Sequence, residues 1–344
     1  MTAHGGPWSG TVAAGSMRRE QWLVVGNLLA ALAAGALASW SAPMMLAILY
    51  VDVWLLANPH IVATYARLSA MASRPRMRQA LVFVAPVLIL AGLTIVALAY
   101  EVAGLFAVYF LAQSFHVSRQ CYGIARRCDR RPQVPWRSLP YGLIYLFPAW
   151  GYLHRSAQGA DSFLGYPIWL PPVPQAWAVA AGIAALAGAA CWLACLVYSR
   201  RMRQAAGPFD SLVLSHLIVS LVGYVWIDDI TIGWLVGNVW HNIQYLVFVY
   251  RQRQRDDTTG KEGGEMARSS AARATPWRAV LMPPMRFFLP CAIGGALLYL
   301  AASRIGESLL WLGLPTILIA HFVLNFHHYL VDGVIWKRRR TAIG

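Results

Sequence analysis

The chain has 344 residues, 58% of them hydrophobic and only 12% charged, with a mean hydropathy of +0.50. Soluble domains carry about a quarter charged residues, so this composition excludes a soluble protein and describes a polytopic membrane one. The formal net charge of +15 comes from short Lys/Arg clusters between apolar segments, the pattern of cytoplasmic loops beside transmembrane helices, and no nucleic-acid partner is expected.

Residues 1–20 are rich in Gly and Ser and read as a flexible tail; His4 in it is read as incidental. The first span covers 22–40. Ala36–Pro43 resembles a signal-peptide cleavage site, but a second span follows at once and needs a partner, so a retained helix is expected. Further spans read at 43–68, 80–100, 102–125, 138–154, 175–198, 209–227, 229–250, 279–302 and 307–336. Each is near the ~20 residues that cross hydrocarbon. The fold class is therefore all-α: a polytopic integral membrane helical bundle of about ten transmembrane helices. Spans one to eight fill 21–250. A polar, Gly- and Ser-rich flexible cytoplasmic loop covers 251–278, and the last two spans lie in 279–340.

Basic clusters at Arg18–Arg19, Arg67–Arg78, Arg119–Arg137, Arg200–Arg203, Arg251–Arg278 and Lys337–Arg340 alternate with connections poor in Lys and Arg. That places both termini in the cytoplasm, in a multi-pass protein of the inner (plasma) membrane surrounded by lipid. Arg155 and Arg304 are the exceptions on the outer side. The Pro- and aromatic-containing segment 155–174 is the longest outer loop, expected to lie along the interface. The five cysteines form no CxxC pair and read as small buried hydrophobes.

The last span carries His321, Asn325, His327, His328 and Asp332. His321, Asn325, His328 and Asp332 follow one another at steps of four, three and four and so share a helix face. Ionisable groups at membrane depth are costly and mark functional sites. Spans two, four, eight and ten each end in a His followed by Tyr or Trp and then a basic residue: His60 with Tyr65 and Arg67, His116 with Tyr122 and Arg126, His241 with Tyr245 and Arg251, and His328 with Tyr329, Trp336 and Lys337. Interfacial anchoring explains the aromatic and basic parts but not the recurring His. These histidines precede their basic residue by a similar stretch of helix, about 10–15 Å along the axis. His216 of span seven reaches the same slab from the other direction, without the aromatic-basic signature; whether it is a ligand is left open. His154 reads as an outer interface residue.

Amides accompany the histidines. Gln113 and Gln120 share a face with His116, Asn238 and Tyr245 share one with His241, Gln244 lies alongside, and Asn58 and Thr64 flank His60. Such groups hold the second nitrogen of a ligand imidazole or bond helix to helix. Pro59 frees a carbonyl near Leu55, which predicts a kink beside the site. Asp52, two turns before His60, reads as a proton-relay or substrate contact, or as the partner of an unidentified Arg.

Imidazole with a carboxylate suits iron, copper or zinc. His60, His116, His216, His241, His321, His327, His328 and Asp332 are candidate metal ligands, more than one ion takes, so two iron ions are expected; copper, zinc or haem are the alternatives. Asp332, Arg119 and Tyr245 are candidate catalytic groups, with Arg119 pairing a substrate headgroup or Asp332, or snorkelling to the interface.

In these scattered membrane histidines the chain resembles the histidine-box membrane oxygenases, the fatty-acid desaturase and hydroxylase class, and the Brp/Blh-type carotene dioxygenases. The desaturase boxes are HxxxH and HxxHH, whereas this chain has His321-x5-His327-His328 and single histidines elsewhere. The resemblance implies an oxidoreductase of oxygenase, hydroxylase or desaturase type acting on a lipid-like or isoprenoid substrate from the bilayer. No GxGxxG or P-loop is present, so an external electron donor is expected, docking on the basic cytoplasmic loops. Two other classes remain open: a membrane haem-binding redox protein, and a His-lined metal or proton transporter.

Overall fold

The computed structural model describes residues 14–69, 75–129, 131, 134–201, 207–259 and 276–335. Among them the fold is almost wholly helical. In chain order the helices are α1 (Ala14–Trp40), α2 (Ala42–Val51), α3 (Asn58–Ser69), α4 (Pro75–Gln79), α5 (Ala85–Cys128), α6 (Leu139–Gln158), α7 (Gln175–Arg201), α8 (Pro208–Leu221), α9 (Ile230–Thr259), α10 (Pro276–Ser308) and α11 (Thr316–Ile335). Wide π-type turns join α2 to α3 (Asp52–Ala57), join α4 to α5 (Ala80–Val84) and extend α8 (Val222–Trp226).

Seven helical stretches among the described residues are long and apolar enough to cross a membrane. The longest, Pro75–Cys128, has 54 residues and is broken at Glu101, whose φ of 54° and ψ of −150° are not helical. Either side of this break exceeds the ~20 residues a crossing needs. α6 and α9 are not among the seven. They carry interior polar groups, including Arg155, Asn238, His241 and Asn242, that lower their hydropathy. Outward faces carry exposed large apolar side chains such as Phe83, Leu98 and Ile183, as a lipid-facing surface requires.

Several boundaries differ from the sequence expectation. α1 begins at Ala14, inside the expected tail, and α9 runs on to Thr259, into the expected loop. Residues 260–275, His4 and Lys337–Arg340 lie outside the described residues. The 155–174 segment does not lie flat. Ser162–Phe163 and Tyr166–Pro167 pair as an antiparallel hairpin, β1 and β2, turned by Leu164 and Gly165, both with positive φ, as a two-residue hairpin loop demands. Phe163 is fully buried against Phe106, Phe110 and Trp234, and the Leu164 N–H donates to Thr231 Oγ1. The hairpin therefore plugs into the bundle because its turn presents apolar side chains inward.

Arg155, an outlier in the outer loops by sequence, is 0% exposed. Its guanidinium donates to the carbonyls of Gly223, Ile227 and Asp228 and to Gln158 Oε1. Those carbonyls belong to the end of the wide turn after α8, where the helical ladder stops, and five guanidinium donors satisfy several acceptors from one residue. Gly223 and Gly233 meet backbone to backbone beside it; a Cβ at Gly233 would overlap the Gly223 carbonyl. We expect Arg155→Met to lower the unfolding free energy by about 3 kcal/mol or more, since buried carbonyls lose their donor, measured by thermal melting in detergent.

At the other end, Asp129 follows α5 and accepts from Arg131, Arg137 and the Tyr141 hydroxyl. Burial pushes its carboxyl up, but the Arg131 hydrogen bonds, with that of Tyr141, outweigh burial and hold it well below the usual carboxylate range. The stability contributed is full above about pH 4, the unfolded value, and is lost as pH falls through the lower folded value. Asp129→Asn should cost about 2 kcal/mol at pH 7, and the gap to wild type should narrow only below about pH 4 in melts across pH.

Candidate metal centre

Pro59 shapes the setting of His60. It has no N–H and its ring crowds the preceding turn, and the chain answers with the Asp52–Ala57 π turn, in which Asn58 N–H donates to Val53 O. This is the kink expected near Leu55, and it sets His60 in the first turn of α3. π-type insertions of this kind recur at functional sites. His116 comes from the second half of α5, His241 from the middle of α9 and His328 from α11.

These four histidines converge. Their exposures are 1%, 4%, 3% and 3%, and one ring nitrogen from each lies within 4.8 Å of the others. Around the group, ring centroids are 4.7 Å apart for His60–His241, 4.8 Å for His241–His116, 4.7 Å for His116–His328 and 4.6 Å for His328–His60, with His60 and His116 at 6.2 Å across the diagonal. Corners of such a square lie about 3.3 Å from its centre, the reach of an imidazole through a metal–nitrogen bond of about 2.1 Å.

The donor set fits a cation on a second count. Both nitrogens of His60, Nε2 of His116 and Nδ1 of His328 are buried without a hydrogen-bond partner, a costly condition unless a ligand meets them. The Gln120 amide lies 3.1 Å from Nδ1 of His241, which leaves Nε2 of that ring for an ion. Tyr245 stacks on His60 at 4.0 Å and Tyr329 on His116 at 4.3 Å, fixing both rings in place. The Tyr245 hydroxyl bonds Thr64 Oγ1 at 2.8 Å, with Asp332 and Arg67 close by, so a polar group lies beside the histidines.

On the opposite side lies a cavity of about 380 Å³, into which all four histidines open. Its walls are aromatic and aliphatic, among them Trp54, Phe106, Tyr109, Trp234, Tyr299 and Phe322, and its outer end is covered by Leu164 and Tyr166 of the hairpin. From His116 to Phe106 along α5 it runs about 15 Å.

The remaining predicted site residues stand elsewhere. Nε2 of His216 is 2.9 Å from the Ile144 carbonyl and its ring packs on Trp240, so it joins α8 to α6. His327 has both nitrogens committed, Nδ1 to the Tyr65 hydroxyl at 2.9 Å and Nε2 to the Leu81 carbonyl at 2.7 Å. The Leu81 carbonyl belongs to the π turn before α5. His321 lines the cavity wall, its Nε2 2.8 Å from Ser303 Oγ. Asp332 is buried beside Tyr245 rather than among the four rings. Arg119 sits over the Tyr122 ring at 5.4 Å. Adjacent residues of a helix diverge by about 100°, which is why His327 and His328 part company.

Asn242, absent from the sequence reading, proves central. Asp52 accepts from the side-chain amides of Asn238 and Asn242, Asn238 accepts from Gln113, and Gln113 accepts from the Trp234 indole. The partners of Asp52 are thus amides, not an arginine. The four-residue step from Asn238 to Asn242 places both on one face of α9, the signal that would have found the second amide.

Comparison with protein families, curated proteins and solved structures finds no match to this chain. We expect His116→Ala to abolish stoichiometric binding of a divalent transition metal, and His216→Ala to retain it while lowering the melting temperature, as read by metal analysis of detergent-purified protein.

Proposed function

We propose that this chain is a membrane-embedded oxidoreductase that holds one redox-active ion, iron or failing that copper, on His60, His116, His241 and His328, and oxidises an apolar, lipid-like or isoprenoid substrate taken from the bilayer. The observation that carries the reading is the square of four buried imidazoles at the floor of an apolar cavity. His60, His116, His241 and His328 would hold the ion through imidazole nitrogen, a donor type that suits iron and copper. The expectation of two irons drew on seven histidines; with four around one centre, the proposal is for a single ion.

A bound iron would supply oxygen activation. The protein's own part is positional. Phe106, Tyr109 and Phe322 present flat faces to a long apolar molecule, with Tyr109 and Phe322 stacked at 4.5 Å. The hairpin excludes water from the outer end, and Tyr245, Thr64 and Asp332 close the inner one. This fits the resemblance to the histidine-rich membrane oxygenases. Ten crossings with both termini in the cytoplasm, in the inner membrane, complete the proposal. Any electrons the reaction consumes then come from a separate donor at the basic cytoplasmic face.

The haem alternative is disfavoured, because a haem takes imidazoles in a pair and would leave two of the four clustered rings unused. A transport path is disfavoured by the side chains that close the histidines off on the cytoplasmic side.

The test is metal analysis, an optical spectrum and oxygen uptake on protein purified without chelator, with membrane isoprenoid and fatty-acyl extracts as substrate. About one iron per chain, no Soret band and uptake reduced at least about 100-fold in His241→Ala are expected. A Soret band, or an ion-free protein, would overturn the proposal.

A further inference from the structure

The walls of the cavity that opens on the four histidines are mainly aromatic and aliphatic, but five amide side chains line it as well. Four of them are spent on the protein itself. Gln113, Asn238 and Asn242 belong to the row that ends on Asp52, and Asn325 Nδ2 donates to the His321 carbonyl at 2.9 Å. Asn58 is different. It is 1% exposed, and its Nδ2 is buried with no hydrogen-bond partner. The sequence expects it as a holder of the His60 ring, yet neither nitrogen of that ring has a partner, so the amide is not spent there. An unmet amide donor inside an apolar bundle is costly unless a guest answers it. The residue is firmly held. Its backbone N–H donates to Val53 O in the π turn, and Gly295 of α10 packs so close that a Cβ there would lie 2.7 Å from the Asn58 carbonyl. It stands two residues before His60, about 3 Å from it along the helix axis.

Resting on the reading of this cavity as the substrate's seat, we infer that Asn58 is a specificity-determining residue, and that the substrate carries an oxygen function, a hydroxyl or a carbonyl, which accepts from Asn58 Nδ2. An amide nitrogen only donates, so what answers it must carry a lone pair; a plain hydrocarbon leaves it unmet. In a pocket with apolar walls a few placed polar groups set which way a guest lies. Asn58 sits at the histidine end. The oxygen-bearing end of the chain therefore lies beside the four rings, and the apolar remainder runs past Tyr109, Phe322 and Phe106 toward the hairpin. That narrows the substrate class from apolar lipids in general to long-chain or isoprenoid alcohols, aldehydes and ketones. Ser303 and His321 also line the cavity, about 10 Å along α11 from His328, but their 2.8 Å bond to each other ties α10 to α11.

The test is equilibrium binding of labelled 1-dodecanol and dodecane, two chains that differ by one hydroxyl, to wild type, Asn58→Leu and Ser303→Ala in nanodiscs, with uptake by protein-free nanodiscs subtracted. Leucine is close to asparagine in size and removes the donor. Wild type should bind 1-dodecanol about 10-fold or more tighter than dodecane, because a buried site built to hydrogen-bond rejects the analogue that cannot. Asn58→Leu should bind the two alike, through lost affinity for the alcohol with dodecane held as well as before. Ser303→Ala should keep the wild-type preference. Equal binding of the two chains by wild type, a preference that survives in Asn58→Leu, or one that vanishes in Ser303→Ala would overturn the inference. Should Asn58→Leu fail to fold, wild type and Ser303→Ala decide by the same criteria. Failure of wild type to bind either chain saturably would instead overturn the reading of the cavity as the substrate's seat.

Discussion

The interior of this molecule is arranged around one constraint: four buried imidazoles are brought together in an apolar bundle. His60, His116, His241 and His328 come from four separate helices, and each brings nitrogen atoms that need a partner. In hydrocarbon an unmet polar atom is costly, so the surrounding structure commits its other polar groups to holding these rings. Tyr245 and Tyr329 stack on two of them, Gln120 takes one nitrogen of a third, and the Asp52 row stiffens the helix that carries His241. The π turn before Pro59 belongs to the same set of adjustments, because a regular helix cannot accept the proline where it stands.

The cavity and the centre are built by the same segments. α5 contributes Phe106, Tyr109 and Gln113 before it reaches His116, and α9 contributes Trp234 and Asn238 before His241. The walls along each helix are apolar or amide-bearing first and become histidine-bearing further along. Arg155 and the hairpin do the complementary work outside, tying the carbonyls after α8 and covering the cavity mouth. An apolar guest held this way would be aligned along the helices with one part at the histidines.

Much of this was legible in the sequence. The apolar runs announced a helical membrane bundle, and the recurring His-aromatic-base endings included all four rings, His328 standing also on the polar face of the last helix. What periodicity could not resolve was which histidines meet. His216 and His327 share the depth of the others, with His321 about one and a half turns away, but depth fixes only one coordinate; rotation about the helix axis and the neighbouring helix fix the rest. His327 turns toward Leu81 because the π turn there exposes a carbonyl, and no pattern of apolar residues encodes that. Arg155 and Asp52 looked anomalous for the same reason. Their partners are backbone carbonyls and amides on distant segments, invisible to a search for opposite charges. The polar hairpin segment read as a surface loop because its two-residue turn, Leu164–Gly165, carries no Asn-Gly or Asp-Gly signature.

X-ray absorption at the edge of the bound metal, on protein purified without chelator, addresses the central claim most directly. The account predicts a first shell of about four nitrogens near 2.1 Å with the multiple-scattering pattern of imidazole, lost when His328 is replaced. A sulfur shell near 2.3 Å, a second metal at about 3.5–4 Å, or a spectrum unchanged in the His328 variant would contradict it.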